Sequence, residues 1–233
     1  MGFIEGYNAV RAEIERAAGA AGRDPAGVSV VAVSKTFPAD IIQRAIDEGI
    51  RLFGENRVQE ARDKIPLLKG DFSFHLVGHL QSNKARDAVR LFGLIHSIDK
   101  IGTAAAVDRE AAKAGKTQDV LVQVNTSGEE TKSGIEPPGA LALCRDILIL
   151  QNTRLCGLMT IGPFTEDTGK IRESFRLLRA LRDDIADRLG YPLRELSMGM
   201  SSDYAIAVEE GATIVRVGTL IFGTRSEGDE PAQ

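Results

Sequence analysis

The 233-residue chain has no tryptophan, only three histidines and only two cysteines. Cys144 and Cys156 make neither a disulfide framework nor a thiolate metal cluster, which fits a reducing cytoplasm. His75 and His79 are four apart within and just after a strand pattern, where that spacing does not gather metal ligands. His96 falls inside another strand pattern and reads as a hydrogen-bonded interior residue, so no metal is expected. No apolar stretch reaches the length of a membrane span. The first residues show no basic segment followed by an apolar run, so a secretory leader is not expected. A charge excess is missing too. Lys and Arg total 29 against 33 Asp and Glu, a net charge of −4, which gives no general attraction for nucleic acid or an anionic membrane. Segments rich in Pro, Gly or Ser that would separate domains are absent, and so is a Gly-x-Gly-x-x-Gly after the first strand pattern. The latter speaks against an open dinucleotide-binding sheet.

What remains is an ordinary globular composition, 43% hydrophobic and 27% charged, in a length that suits one α/β barrel. Apolar periodicity alternates between strand and helix throughout. A helical stripe over residues 4–18 comes first. Strand patterns follow at Val28–Lys35, Arg51–Gly54, Phe72–Val77, Leu94–Ile98, Val120–Val124, Leu155–Ile161, Glu195–Met198 and Thr213–Phe222. Helical patterns fall between them, the longest over residues 170–189, with Ser202–Glu210 before the last strand. Eight such units after one extra helix predict a single (β/α)8 barrel, an α/β TIM barrel with an added N-terminal helix. Residues 1–225 are expected to form that domain, and 226–233 a polar, disordered tail.

In such a barrel, chemistry sits at the C-terminal ends of the strands. Read in order, those ends are Lys35; Glu55 and Asn56; His79 with Gln81, Ser82 and Asn83; Asp99; Asn125, Thr126 and Ser127; Thr160; Ser201, Ser202 and Asp203; and Arg216 with Gly218 and Thr219. A strand-terminal lysine taken alone is more often a solvated surface group. At a crevice, however, it can lose its proton and attack a carbonyl to give a Schiff base. Ser201 and Ser202 read as a helix start offering free N–H groups and hydroxyls to a phosphate, or else as plain capping residues. Gly218 and Thr219 supply a second loop where the backbone can approach a ligand closely. An amine beside a phosphate cradle suggests pyridoxal 5′-phosphate (PLP). Arg216 shares the strand face of Gly218 and points at the same space. It reads equally as a ligand contact or as an interior charge needing a partner.

Seven motifs in order then carry a resemblance. They are Val31-Ala32-Val33-Ser34-Lys35, Phe53-Gly54-Glu55-Asn56-Arg57-Val58-Gln59-Glu60, His75-Leu76-Val77-Gly78-His79-Leu80-Gln81-Ser82-Asn83-Lys84, Val124-Asn125-Thr126-Ser127-Gly128 continuing to Lys132-Ser133-Gly134, Gly157-Leu158-Met159-Thr160-Ile161-Gly162, Leu196-Ser197-Met198-Gly199-Met200-Ser201-Ser202-Asp203, and Val215-Arg216-Val217-Gly218-Thr219 continuing to Gly223. From Val30 to Arg225 the chain resembles the pyridoxal phosphate homeostasis protein family, which is similar to the N-terminal barrel of alanine racemase, the fold type III PLP architecture. The resemblance implies that Lys35 forms the Schiff base and that Arg216 contacts the pyridine nitrogen. It further implies that Ser201, Gly218 and Thr219 hold the phosphate and that Asn56 lies near the cofactor. The implied function is PLP binding in intracellular vitamin B6 homeostasis, with apo-PLP enzymes as recipients, in the cytoplasm, as a monomer or weak homodimer. A low-activity PLP-dependent amino-acid racemase is the alternative. A barrel for another phosphorylated metabolite is a third reading. Lys132 stands as a second candidate lysine.

Overall fold

The computed structural model describes residues 2–129 and 132–223. The expected boundary at 225/226 and the tail 226–233 lie outside the described residues.

Eight parallel strands close into a barrel in sequence order, β1 pairing with both β2 and β8. They are β1 (Ser29–Val33), β2 (Leu52–Glu55), β3 (Ser73–Leu76), β4 (Leu94–Ile98), β5 (Gln118–Gln123), β6 (Thr153–Met159), β7 (Glu195–Ser197) and β8 (Ile214–Val217). Around them run α1 (Phe3–Ala20), α2 (Ala39–Asp47), α3 (Val58–Lys64), α4 (Ala85–Leu91), α5 (Ile101–Lys113), α6 (Ala140–Leu148), α7 (Thr168–Leu189), α8 (Tyr204–Glu209) and α9 (Thr219–Phe222). The expected TIM barrel with an extra N-terminal helix is the observed fold.

Strand alternation divides the interior in two. Outward residues such as Val30, Ala32, Phe53, Phe74, Ile95 and Val215 pack under the helices in the large outer core. Inward residues form a smaller core along the barrel axis, with Val31, Val77, Leu94, Leu121, Met159 and Ile214 buried in it. This second set is thin because polar side chains share the same bore: His75, His96, Ser197 and Arg216.

Two elements depart from expectation near the C-terminal mouth. The eighth strand was expected to run to Phe222 but stops at Val217. Gly218 O accepts hydrogen bonds from Ile221 N and Phe222 N, both at 2.9 Å, which winds Thr219–Phe222 into the short helix α9. Phe222 then packs, with tilted rings, against Phe3 and Phe37, whose ring centroids are 5.6 and 5.1 Å away. This burial overrides the strand-like run Leu220-Ile221-Phe222. The helix after β7 was expected to start at Ser202; it starts at Tyr204, and Met200–Asp203 form turns before it.

Helix α1 crosses α9 closely because residue 6 is glycine. A Cβ there would lie 2.5 Å from Leu220 O. Gly6→Ala should therefore push α1 off α9 and destabilise the fold by about 1–3 kcal/mol. Gly19, in the last turn of α1, has nothing within 4 Å of a Cβ. Gly19→Ala should stabilise by up to about 1 kcal/mol through helix propensity alone. Urea unfolding midpoints of the two variants should move in opposite directions.

Candidate functional site

Lys35 lies two residues past the end of β1, in a turn and not on the strand itself. It shares the inward parity of Val31 and Val33 and is exposed at the C-terminal mouth. Among the described residues nothing hydrogen-bonds or ion-pairs with its Nζ. The turn that carries it is held from behind. Ser34 Oγ donates to Glu55 Oε1 (2.8 Å), and Lys64 Nζ donates to the same oxygen (3.0 Å). Thr36 N donates to Glu60 Oε2 (3.1 Å), which lies 3.6 Å from Lys64 Nζ. Thr36 itself sits at φ 68°, the left-handed region that a threonine occupies only under constraint. Three charged side chains on one side of the turn supply that constraint.

Glu55 thus has a different job from the one its place in the polar ring suggested. It shares the outward parity of Phe53 and points under α3. It is fully buried, and its Oε2 has no hydrogen-bond partner among the described residues. Burial raises its pKa, while the charge of Lys64 and the bonds from Lys64 and Ser34 pull the other way. The next residue, Asn56, has inward parity, is half-buried, and lines a basin of about 660 Å³ with Gly78, His79, Gln81 and Lys84.

Arg216 lies inside the bore, 5% exposed, level with Val31 across the β1–β8 ladder. Its Nη1 donates to Ser197 Oγ (2.6 Å) and its Nη2 to the carbonyl oxygen of Thr160 (2.8 Å). Burial lowers its pKa to about 10, and the charge of Asp203 opposes that shift. The guanidinium remains a cation at neutral pH. Asp203 is buried, accepts from Met200 N (2.5 Å), and has its pKa raised by burial. No carboxylate forms a direct ion pair with Arg216 among the described residues.

The two expected phosphate segments meet. Gly218 N donates to Ser201 Oγ (3.4 Å), joining the loop after β7 to the loop after β8. The backbone N–H groups of Ser201, Ser202 and Thr219 have no acceptor among the described residues. A Cβ on Gly218 would lie 3.0 Å from Val33 O, so the loop sits tightly against the end of β1. Ser201 is half-buried, while Ser202 and Thr219 are exposed. Ser202 also lines an adjoining cavity of about 530 Å³ with Lys132, Phe164 and Ile206. Lys132 points its Nζ at Glu129 Oε1 and Gly162 O, both at 2.7 Å.

Other members of the polar ring are engaged elsewhere. Thr126 bonds Thr160 and Ser174, Asn125 bonds Glu129 O and Glu136, and His79 lies 3.6 Å from Asp99. Sequence reasoning missed Ser197, which holds Arg216, and the link from Ser197 to His96 (2.9 Å) and on to His75 (3.1 Å). The available signal was parity. Ser197, His96 and His75 each sit opposite an outward apolar neighbour, namely Leu196, Ile95 and Phe74.

The family described as "Alanine racemase, N-terminal domain" matches residues 7–226. The chain belongs to this family. It is similar to the pyridoxal phosphate homeostasis protein of Aquifex aeolicus, at 42% identity over 97% of this chain and 99% of that one. It is also similar to the human protein of the same description, at 39% identity over 96% and 88%. Among solved structures, PipY of Synechococcus elongatus with PLP bound is 39% identical, with a TM-score of 0.80 over 91% of this chain and all of that one. Alanine racemase of Clostridium difficile, 15% identical with a TM-score of 0.71, covers 87% of this chain and 54% of that one, and shares the fold.

The network behind Lys35 yields a test. Lys64→Met strips the ammonium from a buried carboxylate and should cost about 3–5 kcal/mol at pH 7.5. Glu55 already has a folded-state pKa above its unfolded value. Its favourable contribution is therefore full below the unfolded pKa and lost as pH rises through the folded one. Loss of Lys64 raises the folded pKa further. The stability gap between wild type and Lys64→Met should consequently narrow as pH falls from 7.5 to 5, measured by urea unfolding. Adding Glu55→Gln should recover part of the loss at pH 7.5.

Proposed function

We propose that this chain binds PLP at the C-terminal mouth of the barrel and serves in intracellular PLP homeostasis, holding the cofactor and giving it up to acceptors. The observation that carries this reading is a lysine amine, unpaired among the described residues, at the same mouth as two joined loops whose N–H groups lack acceptors among those residues. The curated relatives described as pyridoxal phosphate homeostasis proteins support it, as does the PLP-bound PipY structure. PLP brings an aldehyde that reacts with an amine, a phosphate dianion, and a ring whose electron demand depends on protonation of its nitrogen. The residues present fit each part. Lys35 supplies the amine. Ser201, Ser202, Gly218 and Thr219 supply phosphate donors, and Asn56 borders the ring space. Arg216 supplies a donor for the ring nitrogen. A cationic guanidinium accepts no proton, so the nitrogen facing it stays unprotonated and carbanion chemistry is poorly supported.

One unit, residues 1–225, carries this activity in the cytoplasm, with apo-PLP enzymes as the acceptors. No described helix is long and apolar enough to cross a membrane.

Lys35→Ala should lose the yellow, borohydride-reducible adduct while keeping the wild-type circular dichroism. Peptide mapping that finds wild-type PLP trapped chiefly on Lys132 would reassign the amine.

Ser201→Ala removes one hydrogen bond to a charged group, worth about 1.5–3 kcal/mol, so PLP affinity should fall roughly ten-fold or more. Pyridoxal, which lacks the phosphate, should bind wild type and variant equally weakly in a calorimetric titration. A proportional loss for both ligands would show that Ser201 acts on something other than phosphate.

A further inference from the structure

Arg216, Ser197, His96 and His75 form one continuous hydrogen-bonded file through the bore. The contacts are 2.6 Å from Arg216 Nη1 to Ser197 Oγ, 2.9 Å from Ser197 Oγ to His96 Nδ1, and 3.1 Å from His96 Nε2 to His75 Nδ1. It starts at the residue assigned to the ring nitrogen of PLP. It ends at His75, which lines a cavity of about 300 Å³ with Asp119, Cys156 and Glu195 at the opposite, N-terminal mouth.

The chemistry of the first member fixes the direction of every bond. A guanidinium has donors and no acceptor. Ser197 Oγ therefore accepts from Arg216 and has one proton of its own to place. Among the described residues its only other partner is His96 Nδ1. If Nδ1 carried a proton, Ser197 would accept twice and its hydroxyl proton would be buried without a partner, at a cost of about 1–3 kcal/mol. Ser197 therefore donates, and His96 Nδ1 accepts. His96 then bears its proton on Nε2 and donates to His75 Nδ1, which leaves His75 with its proton on Nε2. Both imidazoles are neutral in this arrangement. Burial independently depresses both pKa values, that of His75 to about 4, and the neighbouring charge of Arg216 adds to the effect at His96.

We infer that Ser197, His96 and His75 are positioning residues that hold the Arg216 guanidinium as a charged donor aimed at an unprotonated ring nitrogen, and so make the site selective for a ligand whose ring carries an acceptor there. This rests on the proposed placement of PLP with its ring nitrogen at Arg216. The file fixes the guanidinium without a carboxylate. A directly bonded carboxylate would fix it equally well but would weaken its field at the ligand. Thr160 O holds the second nitrogen in the same neutral manner.

The test has two arms. In the first, protein labelled with ¹⁵N-histidine and free of ligand is examined by long-range ¹H–¹⁵N correlation at pH 7. His96 and His75 should both be neutral and protonated on Nε2; a proton on His96 Nδ1 would overturn the inference. This arm needs no variant. In the second, affinities are measured for PLP and for its 1-deaza analogue, which has a carbon in place of the ring nitrogen. Wild type should prefer PLP by about ten-fold or more, the effect of one hydrogen bond from a charged group. Ser197→Ala and His96→Leu should lose most of that preference, PLP affinity falling far more than that for the deaza analogue. His96→Asn, which keeps an acceptor near the Nδ1 position, should retain it. Equal weakening of both ligands would reduce the file to a structural role and refute the inference. Wild type with no preference would instead refute the placement of the ring nitrogen, and the file's proposed role with it. The Lys35 and Ser201 measurements are independent of that placement.

Discussion

A guanidinium buried on the axis of a closed barrel is the constraint around which the interior is arranged. Burying an unpartnered charge costs several kcal/mol, so its donors must find acceptors. Here they find the hydroxyl of Ser197 and the carbonyl of Thr160, from the ends of two other strands. That requirement places polar groups where a barrel of this size would ordinarily stack Val, Ile and Leu. The axial apolar cluster is correspondingly small, and most of the hydrophobic stabilisation falls on the outer layer between strands and helices.

The opposite wall of the mouth follows a different rule. Among the described residues Lys35 Nζ has no partner, and its backbone is fixed by groups that point away from the mouth. Glu55, Glu60 and Lys64 grip Ser34 and Thr36 and leave the residue between them free. The Lys35 amine is thus carried on a defined backbone and exposed at the mouth. On the far side of the mouth, α1 reaches over to α9 through the glycine contact and the tilted Phe3, Phe222 and Phe37 rings, steadying the loop that carries Gly218 and Thr219.

The barrel was legible because its signal is repeated eight times, and one ambiguous unit does not change the count. Single elements were less secure. Leu220-Ile221-Phe222 has the composition of a strand, and the carbonyl of Gly218 together with aromatic contacts to residues far away in sequence makes it a helical turn. The gathering of Lys35, Arg216 and Gly218 at one mouth was legible because they share a parity at strand ends, a local property. Glu55 lay at a strand end too, but its parity matches outward Phe53, so it serves the outer layer. His96 is the hydrogen-bonded interior residue that was expected, but the role of Ser197 and the partners of His96 escaped notice for a physical reason. Their importance lies in contacts 19 and 101 residues apart across the bore, which exist only once the sheet has closed. The short helix α8 starts two residues later than Ser202, so donors from turns take the place of a helix start.

The one-way file of hydrogen bonds also gives the barrel axis an electrical polarity. Each bond from Arg216 to His75 has its hydrogen on the side nearer the N-terminal mouth, so the bond dipoles add head to tail. Their negative end lies at Arg216. Parallel strands have only small dipoles, and the bore supplies what the sheet does not. The buried cation is stabilised by aligned neutral groups, much as a cation is stabilised at the C-terminal end of a helix. Because neutral dipoles add no net charge, their field declines more steeply with distance than that of a carboxylate. The positive potential of Arg216 is therefore cancelled less than a directly bonded counter-ion would cancel it, with only the more distant charge of Asp203 opposing it.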